Sequence, residues 1–462
     1  MDQERAGAFP ATSQLNVPSL RPLLAWRSAL VLSLGSALLV TVSLGPMGAE
    51  LGPSLVVVWI ITAVIGLLQC LLIAELASRY PHKVGGAPAY NHEGLKHISP
   101  LFGAVSTWAY WVGWIPGVAV NLTLAATYIK AAFFPGVNVI ALAAGLGVAL
   151  YVLNFFGLKF SVWTSGIMAL CAVVPLLVVL TSPLFYTSLW KSANLWPLLP
   201  GGAPWYSPPM LLLFAKWMFV AVWSSYGAEM IATVIGELRH PEKDIPKVVG
   251  LAATATLLAF AIVPTVLVGV VGAGKLAQDP YVVFLTAMKE IFPASGATIV
   301  SIMLIAALII GAQLFIISSS RALYQMSKDG LTIKGYAKLN RYGAPVGSVG
   351  WDALLTLTLL LIFKDNIVNV VAAANVGYLL VFVLLPVSYV MAKTRAGQPA
   401  AAFALPAFMI PVAIAIMVFN VVLFVVGGLQ WGPQVMIVGI LLVLTFVPFY
   451  LVNARSADGM RR

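Results

Sequence analysis

Seven consecutive residues, Trp223-Ser224-Ser225-Tyr226-Gly227-Ala228-Glu229, interrupt an apolar run and bring together aromatic rings, small hydroxyls, a glycine and an acid. The chemistry on offer is recognition of a small polar solute, with Glu229 able to hold or release a proton. A second such stretch lies in the first apolar run, where Ser36, Ala37, Leu38 and Thr41 follow Gly35 and precede Ser43-Leu44-Gly45-Pro46-Met47-Gly48. A third is the aromatic set Trp108, Tyr110, Trp111 and Trp114, whose helical spacing suits either a packed core and interfacial belt or the wall of a pocket. Cys70 and Cys171 sit in apolar runs with no second Cys or His at ligand spacing, which reads as packing. His82, His92, His97 and His240 all fall between the apolar runs, so neither a metal cluster nor a Ser/His/Asp grouping is expected at depth. No GxxxxGK[ST] loop is present to hold nucleotide. The expectation is a protein without cofactor or metal, and not an enzyme.

What must position these residues follows from composition. Of 462 residues, 61% are hydrophobic and 9% charged, whereas a soluble domain carries about 25% charged residues. So few charges cannot clothe a water-facing surface of this size, and the excess apolar surface must face lipid. The net charge of +11 reflects topology and implies no nucleic-acid partner. Residues 1–25 are polar and broken by proline, with Asp2 and Glu4, and no signal peptide is expected there.

A helix crosses the hydrocarbon core in about 20 apolar residues. Windows of that size give twelve candidate spans: 28–51, 54–79, 100–132, 137–156, 161–181, 209–236, 247–272, 294–325, 347–363, 367–392, 403–427 and 433–452. The fold class expected is therefore an all-α polytopic membrane protein. Counted by side, the loops carry 20 Lys and Arg with the two termini against 5 on the other face, which predicts cytoplasmic termini in the cytoplasmic membrane. Residues 331–342 alternate apolar and basic side chains, as in a short amphipathic helix on the inner leaflet or a basic loop. Lys216 lies near the outer end of the sixth span, where it would snorkel or line a vestibule.

In lipid an interrupted helix is tolerated only where it lines a cavity, and transporters built from inverted repeats place such interruptions at the midplane of matching spans. The first and sixth spans, five apart, are that pair. Glu229 falls near mid-membrane, where a carboxylate costs several kcal/mol unless paired, protonated or facing water. Two readings stand for it: an acid hydrogen-bonded inside the bundle, or a proton-coupling and gating acid at a cavity. For the first span, an interruption at Ser43–Gly48 uses the stronger breakers but leaves too short an outer half-helix before Gly52-Pro53. One at Ser36–Thr41 leaves about ten residues, roughly 15 Å of helix.

Four features resemble the amino acid–polyamine–organocation (APC) superfamily of permeases: residues 74–90 (AELASRYPHKVGGAPAY), 223–249 (WSSYGAEMIATVIGELRHPEKDIPKVV), 318–331 (SSSRALYQMSKDGL), and the twelve-span spacing itself. The resemblance implies a LeuT-like fold. Its first inverted repeat would span 26–182, after a cytoplasmic segment 1–25. An extracellular loop 183–208 and a second repeat 209–394 would follow, then two further spans in 395–453 and a cytoplasmic tail 454–462. It further implies interrupted helices 1 and 6 around the substrate, with Trp223 capping it, Glu229 tied to gating and pH response, and Tyr110 and Phe315 lining the pocket. The set of substrate-contacting positions is then Ser36, Ala37, Leu38, Thr41, Tyr110, Trp114, Trp223, Ser224, Ser225, Gly227 and Phe315. Two departures stand out. Ser36-Ala37-Leu38-Leu39-Val40-Thr41 replaces the family's glycine-rich triplet, which crowds a carboxylate; and Ala172 precedes Pro175 where many proton-coupled members carry lysine. The Ser43–Gly48 stretch is similar to the break of polyamine permeases, which would favour an amine.

These observations point to a secondary transporter that moves an amino acid across the cytoplasmic membrane by proton-coupled uptake or exchange. A polyamine or other organic amine is the alternative substrate, and a sensor or partner subunit that binds without transporting is a third reading. The partners implied are the lipid bilayer, a small-molecule amino acid or amine, and a proton.

Overall fold

The computed structural model describes residues 24–33, 41–157, 174, 177–202, 204–292, 294–363 and 367–459. These form helices α1 Trp26–Ser33, α2 Thr41–Leu51, α3 Leu55–Arg79, α4 Ala87–Leu95, α5 Leu101–Ala132, α6 Val139–Phe155, α7 Pro208–Ser225 and α8 Pro241–Val271. They continue as α9 Ala273–Gln278, α10 Val283–Ile291, α11 Ala294–Lys328, α12 Val346–Phe363, α13 Ile367–Thr394, α14 Met409–Val422, α15 Pro433–Leu444 and α16 Phe446–Gly459. Among the described residues there are only two isolated β-bridges, Leu24 with Leu238 and Leu339 with Pro345. Among the described residues eight helices are long and apolar enough to cross a membrane, and Val139–Phe155 and Val346–Ile362 are apolar but shorter. The chain is a multi-pass membrane protein. Most of the expected span 161–181 lies outside the described residues.

Local chemistry sets several boundaries. Pro208 and Pro209 open α7 after Ser207, and Pro241 opens α8 with Glu242 and Asp244 in its first turn, where the helix dipole favours acids. Asn138 caps α6 by accepting the Ala141 amide at 3.0 Å. The stretch Ser43–Gly48 is helical, with Pro46 inside α2, so the winding is not interrupted at those breakers. Ser36, Ala37 and Leu38 lie outside the described residues, and Thr41 is the first residue of α2.

The core forms where α5 packs along α11 and α13, and α3 along α8. α3 also meets α7 and the segment after it, α11 meets that segment, and α13 meets α7. Residues 331–342 do not form a surface helix. They make one 3₁₀ turn, Lys334–Ala337, held by Ser327 Oγ donating to the Ile333 carbonyl at 2.8 Å and Ser348 Oγ to the Tyr336 carbonyl at 2.9 Å. Leu331, Tyr336 and Ala337 are buried there, which leaves the basic residues as a solvated rim.

Candidate functional site

The α winding of the sixth span ends at Ser225. The Tyr226 amide still reaches the Val222 carbonyl at 3.1 Å, but the next bond closes a tighter turn, Glu229 N–H to the Tyr226 carbonyl at 3.0 Å. From Gly227 to Glu237 the chain is a 3₁₀ helix of 11 residues, far beyond the three or four at which that geometry usually stops. The hydroxyls of Ser224 and Ser225, at the junction, are buried without a hydrogen-bond partner. Gly66 of α3 allows the junction to pack closely: a Cβ there would lie 2.6 Å from the Ser225 carbonyl oxygen and 3.1 Å from the Tyr226 ring.

One wall beside the junction is aromatic. Trp114 stacks on Phe315 at 4.9 Å between centroids, lies 5.1 Å from Trp223, and meets Tyr378 edge-on at 4.5 Å. Trp223 is fixed by its indole N–H, which donates to the Gly113 carbonyl at 2.9 Å. Gly117 makes room for both rings, since a Cβ there would sit 2.9 Å from Trp223 and 3.2 Å from Phe315. The four third-span aromatics therefore divide. Tyr110 and Trp114 face this site, while Trp108 and Trp111 pack with Leu323, Met326 and Phe446 in a separate cluster.

Glu229 projects into the same region and is fully buried. Its Oε1 accepts from Tyr378 Oη at 3.3 Å, and its Oε2 has no partner. Tyr110 Oη and Trp114 Nε1 face the same carboxyl without closing a hydrogen bond to it, and neither has another partner. Tyr90 of α4 and Cys70 of α3 lie within electrostatic range. Among the described residues no lysine or arginine pairs with this acid. Polar groups buried without partners are costly, and several of them surround this one acid. Tyr378 and Tyr90 escape a reading of the sequence, because nothing in their local patterns tells that they converge on Glu229.

Polar contacts also tie the neighbouring elements together. On the lysine- and arginine-rich face, Gly85 N–H donates to the Thr233 carbonyl at 2.9 Å, and the Leu24 amide to the Glu237 carbonyl at 2.9 Å. Glu75 accepts from Arg79 at 2.7 Å, Lys393 at 2.9 Å and Tyr389 at 3.1 Å, tying α3 to α13. Nearby, His92, Glu93 and Asp329 bring ligand atoms within 4.8 Å of one another. The Lys83 ammonium fills that space, at 2.7 Å from Glu93 and 2.5 Å from Asp329. Burial presses the Lys83 pKa down, but Asp329 and Glu93 outweigh it and hold the ammonium above its ordinary value. Burial likewise opposes the Glu93 shift, yet Lys83 holds that carboxyl below the usual range, and burial pushes His92 down. On the opposite face Lys216 pairs with Glu50 at 2.7 Å and lies between the rings of Trp217 and Trp431, 5.3 and 5.0 Å from their centroids. It clamps α2 to α7 rather than snorkelling free.

A sequence model of the amino acid permease family matches residues 24–456. The chain belongs to that family, within the APC superfamily, whose members are permeases and not enzymes. The amino-acid permease RocE of Bacillus subtilis is 26% identical over 316 residues, 66% of this chain and 64% of the relative. The lysine-specific permease LysP of Lactococcus lactis is 25% identical over 308 residues, 62% of this chain and 58% of the relative. The aromatic amino acid transport protein AroP of Escherichia coli is 25% identical over 320 residues, 67% of each chain. The chain thus spans less than two thirds of the length of RocE and of LysP.

Proposed function

We propose that this permease is a secondary active transporter that carries an amino acid across the cytoplasmic membrane by alternating access, through proton-coupled uptake or exchange. The architecture we assign is LeuT-like: twelve spans with both termini cytoplasmic, repeats at 26–182 and 209–394, and interrupted first and sixth helices. The observation that carries this reading is the change of winding at Ser225–Gly227 beside an aromatic wall and a buried acid with an unpaired oxygen. Substrate contacts are Ser224, Ser225 and Gly227 at the junction, with Tyr110, Trp114, Trp223 and Phe315 as the wall and Tyr378 added to them. Ser36, Ala37, Leu38 and Thr41 supply the first-helix side. Glu229 gates the site and couples it to protons, with Tyr378 as its hydrogen-bond partner and Tyr110 facing it.

The relatives are named for lysine and for aromatic amino acids, and both classes suit this lining. An unpaired Glu229 oxygen with no basic side chain beside it among the described residues favours a substrate that brings its own positive charge, which keeps an organic amine as the second reading. Purified protein in proteoliposomes, preloaded with each unlabelled amino acid or polyamine in turn and given the labelled form outside, tests the proposal. Saturable counterflow of at least one amino acid is expected. Binding detected by thermal shift, without flux of any of them, would make the protein a sensor.

A further inference from the structure

Lys216 holds its ammonium in a box built by three other side chains. Its Nζ lies 2.8 and 2.7 Å from the two carboxylate oxygens of Glu50. The rings of Trp217 and Trp431 flank it at 5.3 and 5.0 Å, within the roughly 6 Å at which a ring face attracts a cation. The two rings meet edge to face, with centroids 5.2 Å apart and planes at 88°.

The walls of the box are held by contacts other than the lysine side chain. Trp217 is 2% exposed, and its indole N–H donates to Glu50 Oε2 at 3.0 Å. Trp431 donates to the backbone carbonyl of Lys216 at 2.9 Å. The turn that carries Trp431 packs on α7 through Gly427, where a Cβ would lie 2.5 Å from the Ala215 carbonyl oxygen. A carboxylate between two fixed indole rings is the chemistry that recognises a primary ammonium. Here the occupant is tethered to the chain.

The pair is open to water, with Glu50 41% and Lys216 22% exposed. An ion pair that water reaches contributes little to stability, so a second ammonium can replace the first at small cost. The box also joins α2 to α7, the helices assigned to the first and sixth spans. Lys216 stands nine residues before Ser225, about 14 Å along α7 from the junction. We propose that Glu50, Trp217 and Trp431 form an entry site for the primary ammonium of a cationic substrate, the side chain of lysine or one end of a polyamine, which displaces Lys216 from the box. Exchange frees Lys216 from Glu50 and releases one clamp between α2 and α7. The entry role rests on the transport reading above, whereas recognition of ammonium by the box does not.

n-Propylammonium replaces the atoms of Lys216 beyond Cβ, so it is the probe for Lys216→Ala. The melting temperature of purified full-length K216A is followed against n-propylammonium chloride, with sodium chloride at equal ionic strength as reference. A saturable rise is expected, absent with n-propanol. The apparent Kd should weaken by at least about tenfold in K216A/E50Q, the range for losing the charged partner of a hydrogen bond. It should be weaker by about two- to fivefold in the wild type, where the tether competes with the strength of an exposed ion pair. Equal responses of K216A and K216A/E50Q overturn the box. The entry role is read from counterflow of labelled lysine and labelled phenylalanine in phosphatidylcholine proteoliposomes. Glu50→Gln should lower the ratio of their kcat/KM values, lysine over phenylalanine, by about tenfold. An unchanged ratio makes Glu50 a clamp alone and overturns the entry role; if K216A fails to fold, this ratio decides. Phosphatidylethanolamine is the bilayer's own source of a primary ammonium. If adding it to the proteoliposomes abolishes the wild-type preference, the occupant is lipid and the entry role is overturned. Absence of flux of either amino acid in the wild type overturns the transport reading instead, and the n-propylammonium response still decides the box.

Discussion

Gly66→Ala tests the junction where the substrate is proposed to lie. The added Cβ would meet the Ser225 carbonyl oxygen at 2.6 Å, about 0.8 Å inside the 3.4 Å at which ordinary contact begins, and the Tyr226 ring at 3.1 Å. The first obstacle is backbone, so no side chain can swing aside. Overpacking of this kind costs about 1–3 kcal/mol. α3 is a continuous helix of 25 residues, so Ser225–Gly227, where the regular winding already ends, is the part that yields. The cost then falls on the geometry of the site, and 1–3 kcal/mol corresponds to an affinity loss of about 5–150-fold. Substrate Kd by thermal shift and counterflow KM both read it. Gly250→Ala is the control: it too sits in a long helix, but a Cβ there meets nothing within 4 Å, and both constants should stay at wild type. A Gly66→Ala protein with wild-type Kd and KM would refute the claim that this junction forms the site.

Glu229→Gln keeps the size of the side chain and removes its titration, so transport should lose its pH dependence while the protein still reaches the membrane folded; an unchanged pH profile takes Glu229 out of the coupling mechanism. Trp223→Ala removes a ring packed on Trp114 and Phe315 and anchored to Gly113, and apparent affinity should fall by at least about tenfold, equivalent to 1.4 kcal/mol; wild-type affinity would locate the pocket elsewhere. The Lys83, His92 and Glu93 cluster predicts acid sensitivity of the fold. His92 and Glu93 are both held below their ordinary values of 6.5 and 4.5, so the unfolded chain binds more protons and stability falls on acidification, first through His92 below about pH 6.5. Lys83, held high, keeps its contribution through neutral pH and loses it only above its ordinary 10.5. The melting temperature should drop between pH 6.5 and 5, and His92→Gln should flatten that drop; an unaltered slope would remove His92 as its source.

Much of this was legible in the sequence because it depends on local pattern. The interruption of the sixth span falls within Trp223–Glu229, where small, hydroxyl and glycine residues break an apolar run, and the aromatic set of the third span was visible as a set. Its division was not, since Trp111 finds Asp352 and Trp114 finds Phe315 only after α5, α11 and α12 pack. Tyr378 and Tyr90 each lie in an ordinary apolar or mixed helix and meet Glu229 only across more than a hundred residues of chain. Ser43–Gly48 offered the strongest breakers in the first span, yet the chain is helical there: Pro46 costs one backbone bond, and close packing of Gly45 and Gly48 against Pro280 and Ala273 accounts for the glycines. Lys216 likewise read as a lone cation at the interface until its partner Glu50 was brought beside it by tertiary packing.

The most direct measurement is a cryo-electron microscopy map of the protein with a transported amino acid bound. Density for the ligand is expected against Ser224–Gly227, enclosed by Trp114, Trp223 and Phe315 and within hydrogen-bonding reach of the first helix. Ligand density at any other depth or between other helices, with the Ser225 junction still packed as it is here, would contradict the account.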